Sequence, residues 1–165
     1  VPPNTVIVSL ALFLTFFIMA PVFERCYTEG LKPLMNEEID EFEAFKRTMK
    51  PLNTFMLKQT SERDLQLFME VSRTPPVKDV SAIPLQVVVP AFMISEIKRA
   101  FEIGFLLFLP FLIIDMVVGS ILMAMGMMML PPTMVAMPFK IIFFVVVDGW
   151  YLVVGSLAKS FGTYN

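Results

Sequence analysis

Histidine is absent from the 165 residues, and cysteine occurs once, at Cys26. The first absence removes the base that serine and cysteine nucleophile schemes use, together with most zinc and haem sites. A single cysteine closes no disulfide within the chain. Beside Arg25 and Tyr27 it reads as an inert boundary residue. Charge is scarce as well, at 17% against the quarter usual for a soluble domain. Net charge is −2 and no block of basic residues occurs, which argues against nucleic acid as a partner and against a polybasic lipid anchor. No internal repeat or low-complexity tract is present. The opening apolar run lacks a charged leader and a small-residue cleavage site, so it does not read as a signal peptide. A start at Val1 reads as a processed or truncated N-terminus.

Apolar residues, in contrast, make up 56% of the chain, and mean hydropathy is +0.72, a membrane-class composition. The charges are unevenly placed: 24 of 28 fall between Glu24 and Glu102. Three regions follow. Residues 1–23 are uncharged, and Val6 to Phe23 makes ~27 Å of helix, close to a bilayer core, with Pro21 bending or ending it. Residues 24–83 form a charged segment of two or three short amphipathic helices. There Asn36 is expected to cap a helix opening with Glu37 and Glu38, and Pro51 to restart the chain. Ser61-Glu62-Arg63-Asp64 resembles a capping box, and Arg73 to Asp79 reads as a linker. Residues 84–165 form a hydrophobic helical hairpin, with Pro131-Pro132 turning the chain and Met134 to Ala158 as the last helix. The fold class is all-α: membrane-type hairpins with an inserted amphipathic helical segment. Ser120 and Ala124 offer a small-residue face for close helix packing.

Two features of the hairpin invite function. Eight of 14 methionines lie between Met116 and Met137. Met127, Met128 and Met129 are consecutive, and side chains ~100° apart on a helix cannot share one packing face. Methionine also fills lipid-facing surface, so a constriction in a passage and a plain filler role both stand. The second feature is intramembrane charge. Asp115, Lys140 and Asp148 need partners or water, because an ionised group at mid-bilayer costs ~2.5–3.5 kcal/mol. A symmetric hairpin turning at the prolines sets Asp115 level with Asp148 and leaves Lys140 facing Met123. Lys140 is therefore paired across a subunit boundary, or the arms are offset. At the start of the region, Glu96 with Arg99 and Lys98 with Glu102 have helical pairing distances.

Several stretches resemble the FliP family of flagellar biosynthetic proteins. Near the start these are Pro2-Pro3-Asn4 leading into Leu10 to Met19, Phe55-Met56-Leu57, Pro90-Ala91 and Ser95-Glu96-Ile97-Lys98. Further on come Ile103-Gly104-Phe105, Leu109 to Asp115, Gly126 to Met129, Pro138-Phe139-Lys140, Val147 to Trp150 and Gly155-Ser156-Leu157. The sequence departs from the family where a hydrophobic region usually precedes the Pro-Pro-Asn motif. The resemblance implies a core subunit of the flagellar type III export gate in the bacterial inner membrane, at the flagellar basal body. There several copies assemble with FliQ, FliR and other export-apparatus membrane proteins and pass unfolded flagellar subunits. It implies a gasket at Met127, Met128 and Met129, and intersubunit charges at Glu96, Asp115 and Lys140, with Asp148 a further candidate. No catalytic residue, metal or cofactor is expected.

Other readings use the same residues. A subunit of a virulence type III secretion system shares the second half of the pattern. A small-ion or solute transporter would use Asp115, Asp148 and Lys140 as a relay, but should show repeated broken helices. An aspartyl protease needs two acids sharing a proton at close range, and nothing else here builds a substrate cleft. The last is a membrane scaffold without a passage.

Overall fold

The computed structural model describes residues 2–126 and 131–164. All regular structure among them is helical: α1 (Asn4–Cys26), α2 (Lys32–Met35), α3 (Glu41–Gln59), α4 (Glu62–Val71), α5 (Leu85–Ala124), α6 (Pro132–Val146) and α7 (Gly149–Ser160). A π-helical turn, Tyr27–Leu31, joins α1 to α2, and a 3₁₀ turn, Val80–Ala82, precedes α5. The chain divides into two compact units, one of residues 1–97 with 158–165, the other of residues 98–157.

In the first unit, local chemistry sets the helix boundaries. Asp40 caps α3, its carboxylate accepting from Glu43 N at 2.8 Å. The expected cap, Asn36, instead closes α2, and Glu37 after it has φ 57°. Asp40 supplies the extended backbone and side-chain acceptor that a helix start needs; Asn36 lies where the preceding helix is still unwinding. Pro51 does not restart the chain but lies inside α3, which runs through it. Ser61 caps α4 by accepting from Asp64 N at 3.2 Å, as the Ser-x-x-Asp spacing predicts.

The core of this unit is small. Ile83, Val87 and Val88 are buried, with Met56, Leu57, Leu65, Phe68 and Met69 packed against them from α3 and α4. Gly30 lets the π-helical turn lie on α3: a Cβ there would sit 2.0 Å from Thr48 Oγ1 and 2.8 Å from its backbone nitrogen. No side chain fits in that contact.

Asp79 closes the linker before α5. Ser81 Oγ donates to its Oδ2 at 2.6 Å and Ser81 N to its Oδ1 at 3.0 Å. These bonds, the hydroxyl first, hold the Asp79 carboxyl below the ordinary range.

In the second unit, α5 ends where Gly126 takes φ 75° and its N–H reaches back to Met123 O at 3.1 Å. A left-handed glycine just past a helix end is the usual stop. Pro131 and Pro132 open α6, Pro132 occupying its first turn, where its missing N–H costs nothing. The last helix is not continuous from Met134 to Ala158. It breaks at Asp148, whose φ is 53°, and α6 and α7 bend by 58° there. Aspartate tolerates this backbone better than the valines before it.

α1 continued to Met35 and the 40-residue α5 are long and apolar enough to cross a membrane. The α6–α7 pair qualifies as a third, broken span. Only 11% and 6% of the most apolar windows of the first two are buried within the chain, so lipid or other protein must cover the rest. α5 also carries about twice the ~20 residues one bilayer crossing requires.

Candidate functional site

The later part of α5 and α6 form the two arms of the hairpin. Val118 and Leu122 pack on Ala136, which is fully buried, with Ile114 and Val135 beside them. Phe111 meets Phe143 edge-on at 5.8 Å between ring centroids and Phe144 at 6.4 Å, and Phe144 meets Trp150 at 5.3 Å. The small residue that permits close approach is thus Ala136, whereas Ser120 and Ala124 are exposed. Along one side runs an apolar groove of about 410 Å³, lined by residues including Ile113, Val117, Ile121 and Phe139.

Within these arms, Lys140 Nζ lies 2.7 Å from Asp115 Oδ1, and the two side chains are 29% and 28% exposed. The offset register therefore gives Lys140 an acid within its own chain. Phe111 with Phe143, and Asp115 with Lys140, are matched about a point roughly four residues before the prolines. The cause is that α5 stops at Gly126 and α6 begins at Pro132. Asp115 Oδ1 makes no well-directed hydrogen bond, so the attraction is coulombic. In surroundings this apolar it offsets much of the cost of holding either charge.

The remaining candidates are Asp148, Glu96 and the three methionines. Asp148 is exposed at the break, and its carbonyl accepts from Leu152 N at 3.1 Å as α7 begins. A carboxylate at that helix start is favoured by the dipole, which is a reason for an acid there independent of any relay. Glu96 is half-buried on the part of α5 that belongs to the first unit. Met127, Met128 and Met129 lie outside the described residues, between Gly126 and Pro131.

Two constellations in the first unit escape a reading of the sequence. In one, Asp64 is 3% exposed and Ser95 7%. Asp64 Oδ2 accepts from Ser61 Oγ at 2.6 Å and from Ser95 Oγ at 2.8 Å, while Ser61 N donates to Ser95 Oγ at 3.0 Å. The capping box is completed by a serine from α5, 34 residues away, which nothing local announces. In the other, Pro21 cannot donate to Phe17 O, and Tyr164 Oη donates to that carbonyl instead. The Tyr164 ring stacks on Phe17 at 5.0 Å, and Thr163 Oγ1 donates to Ile18 O. Phe161 stacks on Phe55 at 6.2 Å, and its carbonyl accepts from Gln59 Nε2 at 3.0 Å. The signal for the freed carbonyl was present in the sequence, since a proline inside a helix always orphans the carbonyl four residues earlier; its partner was not.

The family model described as FliP family matches residues 1–157. Among similar proteins are those named flagellar biosynthetic protein FliP from Caulobacter vibrioides, 59% identical, Bacillus subtilis, 56%, and Aquifex aeolicus, 51%. Each match covers 97% of this chain. The chain spans 60%, 72% and 68% of those relatives' own lengths.

Proposed function

The chain belongs to the FliP family, and on that premise we propose that it is a pore-forming subunit of the flagellar protein export apparatus. In this reading several copies assemble with FliQ and FliR in the inner membrane, and unfolded flagellar subunits pass through the assembly. The observation that carries it is the 59% identity, over nearly the whole chain, to a protein whose name assigns it to flagellar biosynthesis. The hairpin supports the finer role. Its arms are tied by Asp115 and Lys140, and three successive methionines lie between them.

A passage for unfolded chains must admit any side chain yet exclude ions when empty. A narrow apolar ring does this by dewetting, and unbranched thioethers part and close around varied cargo. Met127, Met128 and Met129 are assigned this gasket. Glu96 and Asp148 are assigned to contacts with neighbouring subunits, and so is the Asp115–Lys140 pair, as a unit. Pairing within the chain also weakens the ion-relay reading, because a relay needs an acid free to exchange protons.

The test is ion permeability. In cells assembling the complete apparatus, replacing all three methionines with alanine is expected to raise leak of small ions across the membrane at least several-fold, with assembly intact. Unchanged permeability in an assembled variant removes the gasket.

A further inference from the structure

After Pro21, through which α1 continues, the helix passes from the uncharged run to Glu24 and Arg25, the composition step found where a helix leaves a bilayer. At that level the first unit holds a pocket of about 270 Å³. Pro21, Val22 and Phe55 give it apolar walls, Phe161 and Thr163 close one side, and Arg25 and Lys58 supply charge.

Both cations have capacity to spare. Arg25 uses Nε on Glu29 Oε1 at 3.2 Å, in a pair whose side chains are 57% and 41% exposed. Its two terminal amino groups have no partner among the described residues, and Lys58 has none. The exposed Glu29 contact is weak and leaves the guanidinium fork open. Glu24 follows the uncharged run in sequence but does not line the pocket. The hydroxyls of Thr54 and Thr163 are spent as donors to Lys50 O and Ile18 O, so Arg25 and Lys58 are the polar groups left to a ligand.

We propose that this pocket binds the phosphate of an anionic phospholipid headgroup, held between Arg25 and Lys58. The acyl chains would run along the apolar surface of α1 on the side that lines the pocket, past the exposed Leu10 and Ile7. Three features meet here: two underused cations, a cavity of headgroup size, and an uncovered apolar helix leading from it. A planar guanidinium and an ammonium are the usual receptors for a phosphate oxyanion. The site is built partly by residues 161–163, beyond the span matched to the family, and it does not depend on the export reading.

The experiment is native mass spectrometry of the full chain in detergent micelles, titrated with phosphatidylglycerol and, separately, with inorganic phosphate. One phosphatidylglycerol retained per chain is expected. The R25Q/K58Q variant should lose retention by about thirty-fold. The charge-keeping R25K/K58R variant and a K159Q control should hold it within about two-fold. Circular dichroism on the same samples checks that the helices persist. Equal retention by R25Q/K58Q overturns the proposal, as does loss of the lipid to an equal concentration of inorganic phosphate, which would make the ligand a free anion.

Discussion

The two units solve the same problem, an excess of apolar surface, in opposite ways. The first divides its surface between faces: α3 and α4 turn Met56, Leu65 and Phe68 onto Ile83, Val87 and Val88, and side chains such as Asp40 and Ser61 cap their ends. The second leaves Phe105, Ile113, Val145 and Val146 exposed and joins its arms through a small apolar contact at Val118, Leu122 and Ala136 and an ion pair beside it. A soluble core excludes water by burying its own residues. A hairpin of this kind relies on lipid or neighbouring subunits, and its ion pair fixes register. The amphipathic part of the first unit is therefore specified by its own sequence, whereas α1 and the second unit depend on their surroundings as well.

The sharpest way to break that contrast is to remove Lys140. Lys140→Ala strands Asp115 among apolar side chains and should destabilise the hairpin by about 3 kcal/mol, the low end for a largely desolvated pair. The K140M/D115L variant should recover most of it. Thermal unfolding in micelles reads both; a single variant as stable as the parent would show that the pair carries no weight. Next comes Gly30→Ala in the first unit. Overpacking against the Thr48 backbone should cost roughly 2 kcal/mol, with only partial rescue by Thr48→Ala, because the backbone contact remains. Full rescue would locate the clash in the side chain alone.

Smaller effects are expected at Tyr164 and Asp79. Tyr164→Phe leaves Phe17 O without its donor and should cost about 1 kcal/mol. Restoring the N–H with Pro21→Ala should shrink that cost in a double-mutant cycle, and strict additivity would sever the two residues. The smallest effect is at Asp79. Its folded carboxyl titrates below its unfolded value, near 4, so its contribution is present above that value and fades as pH falls through the lower, folded one. The melting-temperature gap between the parent and Asp79→Asn should be constant from neutral pH to about 5, then close on acidification. A gap that widens in acid contradicts the assignment.

Much of the fold was legible. An uncharged run announced α1 and apolar runs announced the long helices after Pro84, the linker at Arg73 to Asp79 is irregular, and Ser61 caps as its spacing says. Boundaries set by backbone geometry were less so. Pro51 is accommodated within α3, Gly126 rather than the prolines ends α5, and Asp148 breaks what composition presents as one helix. Left-handed residues announce themselves weakly in an apolar run, because hydrophobicity carries no record of φ. Of the candidate site, the sequence named both members of the ion pair but not their register, since register depends on where each arm stops. The Ser95 contact to Asp64 and the Tyr164 contact to Phe17 join residues 31 and 147 positions apart, and no local pattern encodes them.

The proposed function requires that exported chains pass the methionines between Gly126 and Pro131. A photo-crosslinking amino acid placed at Met128, in cells whose export is arrested with a flagellar subunit in transit, tests it directly. The expected result is an adduct with that subunit at position 128 and none at Phe13, which is exposed on α1. Adducts at 128 with lipid alone, while the subunit is demonstrably held in the apparatus, would contradict the account.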